Sequence, residues 1–216
     1  MKKLKNKIFE KNKYILEKYI KPSKIDELFN HWENPIRKYH NLNHLNDILK
    51  YLNKFKEKEQ YIFEFYRESW ILAAFFHDVI YIPGKSDNEE KSIEFFKKSF
   101  KKDDNILKNL PTTKDVYNKV INLIEITKYR QEPKTYLENV FWRADNNILF
   151  KPYFYYWKRW EKLIRAEYIM FSDKEYKEKR IKFLKSMFVT LNDIKESRKV
   201  TNKIHKLIDY IEKKYE

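Results

Sequence analysis

Apolar residues recur at intervals of three and four along nearly the whole chain, with charged residues filling the positions between them. This is the pattern of helices that bury one face. Leu42, Leu45, Ile48, Leu49, Leu52 and Phe55 fall on one face of a helix predicted to begin near Asn41 or Asn43, either of which can cap it. Ile62, Phe65, Tyr66, Trp70, Ala73, Ala74 and Phe76 repeat the spacing within a helix predicted over 60–80. Further helices are predicted over 4–20, 24–33, 88–102, 113–130, 135–150, 153–171, 173–190 and 192–214. Lys21-Pro22 and Asn34-Pro35 close the first two, and Tyr81–Asp87, with the only glycine and a proline, is the clearest loop. No segment alternates long enough to be a strand. With no internal repeat and no shift in composition, the expectation is an all-α fold in one domain covering 1–216.

Composition supports a packed core. Apolar residues make up 42% of the chain and aromatic residues 18%, which argues against disorder. The absence of cysteine excludes disulfides, thiolate metal sites and cysteine nucleophiles together. No run of about 18 apolar residues is present, so no membrane span is expected. The first twenty residues are charged throughout and lack the apolar core of a signal peptide, so the chain is expected in the cytoplasm. A net charge of +15 has two readings. One is the Lys-, Asn- and Ile-rich composition of an AT-rich coding sequence, with lysines spread over every segment. The other is a polyanionic partner, nucleic acid included. A phosphate-bearing substrate would profit from the field under either.

Candidate chemistry gathers in three places. Three of the five histidines lie in two dense contexts. His40 and His44, four apart, would share a face of a continuous helix, although surface imidazoles at a helix start have the same spacing. His77-Asp78 ends a strongly apolar helix. An imidazole and a carboxylate buried there need a partner, which a divalent cation or a backbone carbonyl can supply. Asp145 shares a helix face with Phe141, Ala144, Ile148 and Leu149, where it needs either a buried ion pair, with Arg143 or Arg165, or a metal. His31 and His205 have no such context. The aromatic run Tyr153–Trp160 reads as core rather than as a base-stacking platform.

In order and spacing, these contexts resemble the HD superfamily of metal-dependent phosphohydrolases. The resemblance implies a helical HD-type domain, with its core roughly at 30–190, and a divalent metal (Mn, Mg, Fe, Zn, Co or Ni) held by His44, His77, Asp78 and Asp145. Tyr39-His40-Asn41 followed by His44 is also similar to the YHNxxH signature of cyclic-nucleotide phosphodiesterases, which implies His40 as general acid and His44 as ligand. Over about 30–185 the chain resembles a group of small predicted HD phosphohydrolases. Arg37, His77-Asp78 with Tyr81, Asn88-Glu89 with Ser92, Thr127, Asp145 and Arg165-Ala166-Glu167-Tyr168 carry that likeness.

The implied reaction is hydrolysis of a phosphate ester, of a nucleotide or of a cyclic or linear phosphodiester, by metal-activated water. His40 and Asp78 would be the catalytic residues, and an imidazole with its near-neutral unperturbed pKa suits proton donation. Arg37, Arg165 and Arg180 are candidate phosphate contacts, with surface ion pairs as the competing reading. Glu89 is a candidate for holding a water or a ligand imidazole, or simply a helix N-terminal charge. Lys128-Tyr129-Arg130 stands where the small group usually has a histidine, and Arg143 where it tends to have a carboxylate. Those departures imply a single metal ion or a weakly bound second one, or arginines that clamp phosphate. The competing function is a non-catalytic, basic nucleic-acid-binding protein on a degenerate scaffold of the same kind.

Overall fold

The structure, a computed structural model, describes residues 2–101, 111–128, 132–191 and 197–215. The described residues form ten α-helices: α1 (Lys2–Tyr19), α2 (Pro22–Trp32), α3 (Leu42–Lys58), α4 (Gln60–Phe76), α5 (Asn88–Ser99), α6 (Pro111–Glu125), α7 (Tyr136–Asp145), α8 (Phe154–Glu167), α9 (Asp173–Leu191) and α10 (Ser197–Lys214). A 3-10 turn spans Asn147–Phe150. The fold is all-α. Strand-like pairing among the described residues is confined to one bridge, Ile20 with Phe100. The predicted helix ends at 102 and 130, and the predicted start at 192, lie outside the described residues.

Helix α4 is the hub, packing against α1, α3, α5, α6 and α7. Its C-terminal half is buried on every side from Ser69 to Phe76, which a helix surrounded by others requires. The indole of Trp70 donates to the Leu137 carbonyl (3.0 Å) and ties α4 to α7. That of Trp32 donates to the Phe75 carbonyl (2.9 Å) and ties it to α2. Buried apolar side chains form one continuous cluster reaching from Ile8 in α1 to Tyr215 after α10.

Helix ends fix what the site needs. Asn41 caps α3, its side chain accepting from the Asn43 N–H (2.8 Å). Thr135 and Glu138 form a reciprocal capping box at the start of α7. Helix α4 stops at Phe76, four residues short of the sequence expectation. There the Arg37 guanidinium takes the carbonyls of Asp78 (2.7 Å) and Val79 (2.8 Å), and the chain turns away. The following segment is pinned to α5. Ser92 Oγ accepts from Ile80 N–H (3.1 Å) and lies 3.2 Å from Ile80 O, and the Asn88 amide bonds both Ile82 N–H (3.0 Å) and Ile82 O (3.1 Å). Gly84 completes the turn at φ 83°, and a Cβ there would meet the Phe171 ring at 3.0 Å. The predicted helix over 135–150 ends instead at Asp145, where Asn146 Nδ2 bonds back to the Trp142 carbonyl (3.1 Å).

Candidate functional site

His44 lies in the first turn of α3, His77 and Asp78 directly follow α4, and Asp145 closes α7. Three helices thus deliver four groups to one point. His44 Nε2 lies 3.1 Å from Asp145 Oδ1, 3.3 Å from His77 Nε2 and 3.8 Å from Asp78 Oδ2. His77 Nε2 lies 3.1 Å from Asp78 Oδ2 and 3.4 Å from Asp145 Oδ1. The ligand atoms of His44, His77 and Asp145 all fall within 4.8 Å of one another, so this cluster could hold a metal ion.

The electrostatics are those of charges forced together. Burial opposes an imidazolium at His77, but the Asp78 and Asp145 carboxylates outweigh it and hold its pKa well above the ordinary range. Burial also opposes both carboxylates, and the facing imidazoles overcome it and hold them well below theirs. His77 Nδ1 lies 3.0 Å from the Ala74 carbonyl. A proton on Nδ1 donates to that oxygen and leaves the Nε2 lone pair for the cluster, the arrangement expected of a metal-binding histidine.

His40 stands beside the cluster, outside α3 because it precedes the capping Asn41. Its ring centroid is 5.8 Å from that of His44, so the two histidines meet without sharing a helix. Glu167, the last residue of α8, holds His40. One carboxylate oxygen is 2.7 Å from His40 Nδ1, and the other accepts from the backbone N–H of Tyr39 (2.7 Å) and of His40 (2.9 Å). Burial opposes the charge on Glu167, yet His40 and those two N–H groups keep its pKa below the usual carboxylate range. Tyr81 stacks on the imidazole at 4.0 Å and 28°. His40 is thereby fixed on three sides, with Nε2 lacking a partner among the described residues.

A cavity of about 300 Å³ opens over these groups, lined among others by His40, His44, His77, Asp78, Asp145, Glu89, Thr127 and Arg180. Glu89 sits in the first turn of α5, and burial, with Asp78 beside it, raises its carboxyl above the ordinary range. The arginines singled out from the sequence lie mostly elsewhere. Arg37 is spent on the two carbonyls after α4. Arg165 bonds Asp173 (2.7 Å) and the carbonyls of Tyr168 (2.8 Å) and Phe171 (3.1 Å). Arg143 bonds Asn139 (3.2 Å) and covers the Phe150 ring. Arg130 lies outside the described residues. Among the described arginines, Arg180 alone lines the cavity.

The sequence reading passed over the role of Glu167 as partner of His40. The signal was present: Trp157, Trp160, Glu161, Ile164 and Glu167 form the buried stripe of α8, and two carboxylates on such a stripe need partners. Of the remaining histidines, His31 packs against Phe95, and His205 stacks on Phe188. No family model, curated protein or solved structure matches the chain.

Proposed function

We propose that the protein is a metal-dependent phosphohydrolase of the HD type. The observation that carries this reading is the convergence of His44, His77, Asp78 and Asp145 at the floor of a cavity, with His40 beside them. The donor set fits a divalent ion. Two Nε2 atoms 3.3 Å apart with carboxylate oxygens at 3.1 Å call for a cation between them, and two carboxylates match its charge. The four residues would hold that ion, which when bound would supply a Lewis acid for the phosphoryl group and lower the pKa of a water.

The chain's own residues do the rest. Glu167 accepts from Nδ1 and orients His40, so Nε2 is the nitrogen that, when the ring is protonated at both nitrogens, can pass a proton to the departing alkoxide. Tyr81 holds the imidazole plane, and Arg37 holds the turn that carries His77 and Asp78. Glu89, half-buried and raised in pKa, is placed to hold a water at the cavity wall. The substrate class is a phosphate ester of nucleotide size, matched to a cavity at the small end of the range for ligand pockets.

The test is purified protein supplied with Mn, Mg, Fe, Zn, Co or Ni and assayed on bis(p-nitrophenyl) phosphate and a nucleotide panel. Bound metal with turnover supports the reading. Salt-sensitive binding to arbitrary nucleic acid with neither metal nor turnover would replace it with a basic nucleic-acid-binding role.

A further inference from the structure

Arg180 on α9 is buried, with only 7% of its surface exposed, and its Nε donates to Glu161 Oε2 (2.8 Å). The guanidinium lies 4.3 Å over the Trp160 ring and 5.1 Å over that of Phe183. Two donors buried in this wall, Arg180 Nη2 and Trp160 Nε1, have no hydrogen-bond partner among the described residues. Both residues line the cavity. Lys85 and Lys179, both exposed, line it too, and neither forms an ion pair among the described residues. Glu161 balances the arginine, and the lysines add positive charge at the mouth of the cavity, where Asp87 and Glu175 are near enough to feel them. The carboxylates on the cavity gather elsewhere: Asp78 and Asp145 in the metal-type cluster, and Glu89 close enough to Asp78 to feel its charge. Two rings separate the regions, with Trp160 6.2 Å from Tyr39 and Tyr39 4.9 Å from His44.

Buried donors without acceptors, on neighbouring side chains and backed by exposed lysines and aromatic faces, are the makings of an anion site. We infer that the Arg180–Trp160 wall is a second anion subsite, and that the substrate is a small compound with two phosphate groups, one at the His–Asp cluster and one on this wall. The inference rests on the phosphohydrolase reading for the first phosphate only. The cavity volume favours a compact bisphosphate over a polymer strand.

Calorimetric titration of adenosine 3′,5′-bisphosphate and adenosine 5′-monophosphate, with and without Mn, tests it. The bisphosphate is expected to bind the wild-type protein at least about 10-fold more tightly, since one charge-assisted bond is worth about 10- to 150-fold. Arg180→Met keeps the length and apolar bulk of the side chain and should erase that preference while leaving monophosphate affinity in place. Should that variant misfold because Glu161 is stranded, the Lys85→Ala/Lys179→Ala double variant, at exposed positions, reports on the same wall. Equal affinities in the wild type, or a preference that survives the double variant, overturn the subsite. A preference lost in the variants, in a protein that neither binds metal nor turns over phosphodiesters, upholds the subsite and removes the phosphohydrolase reading. Turnover without the preference does the reverse.

Discussion

Glu161 and Asp145 are both carboxylates set among largely apolar inward residues of their helices, and they are satisfied on different terms. Glu161 is fully buried and accepts from Tyr176 Oη (2.6 Å) and Arg180 Nε (2.8 Å), so one anion meets one permanent cation. Asp145 meets His44 and His77, with Asp78 close by, so two anions face two imidazoles and, among the described residues, no permanent cation. The first charge is balanced within the chain. The second is balanced only when protons or a cation join it. A closed ion pair is therefore expected to govern stability, and the open cluster to govern binding and chemistry.

The largest contrast comes from breaking each centre in turn. His77→Ala should abolish metal retention and phosphodiester turnover while leaving most helicity, read by elemental analysis beside circular dichroism. Glu161→Ala should do the opposite, keeping the metal while stranding the buried Arg180, at a cost of about 3–5 kcal/mol in urea unfolding. If His77→Ala destabilises as much as Glu161→Ala while wild-type protein holds no metal after supplementation, the two centres are alike and the cluster is merely structural.

Next in size is the division between His40 and His44. His44→Ala should lose metal affinity and activity that excess metal partly restores. His40→Ala should keep its metal and slow turnover by about 10²–10⁴-fold, the usual worth of a positioned acid. The loss should shrink for a substrate with a good leaving group. Glu167→Gln acts through His40, so it should lower kcat less than His40→Ala does and show the same dependence on leaving group. If His40→Ala loses the metal and His44→Ala keeps it, the roles are exchanged.

The open cluster was more legible from the sequence than its surroundings. His77-Asp78 at the end of an apolar helix and Asp145 on an apolar stripe each announce a buried group in need of a partner. Three such groups in order resemble a known pattern. The spacing of His40 and His44 suggested one helix face, yet Asn41 starts the helix between them, and a turn held by Glu167 brings them together instead. The aromatic run of α8 divides: Trp157 and Trp160 are core, while Tyr153 and Tyr155 are exposed. Arginines were the least legible. A sequence shows a guanidinium's charge but not which carbonyls stand within its reach, and Arg37 and Arg165 are taken up by backbone carbonyls that only the folded turns place there.

That difference sets the third effect. Arg37→Ala would leave the carbonyls of Asp78 and Val79 without their guanidinium donors in a part-buried turn. A cost of about 1–3 kcal/mol for each carbonyl left unpaired is expected from urea unfolding. Because the turn carries His77 and Asp78, metal affinity should weaken with it. A large rise in KM with unchanged stability and metal content would instead return Arg37 to the role of a phosphate contact.

The smallest effect is expected at Arg143, which stands next to the open cluster in sequence without joining it. Its Nε donates to Asn139 one turn back, its guanidinium covers Phe150, and it does not line the cavity. A residue that bonds back along its own helix and stays off the cavity lining has little to offer a phosphate at the cavity floor. Arg143→Ala should therefore change the apparent substrate constant by less than about twofold. Loss of a charge-assisted bond would raise it by about 10- to 150-fold, so steady-state kinetics separate the outcomes cleanly. An increase of that size would mean that Arg143 swings toward the bound substrate, and that the cluster's positive neighbours extend onto α7 as well as α9.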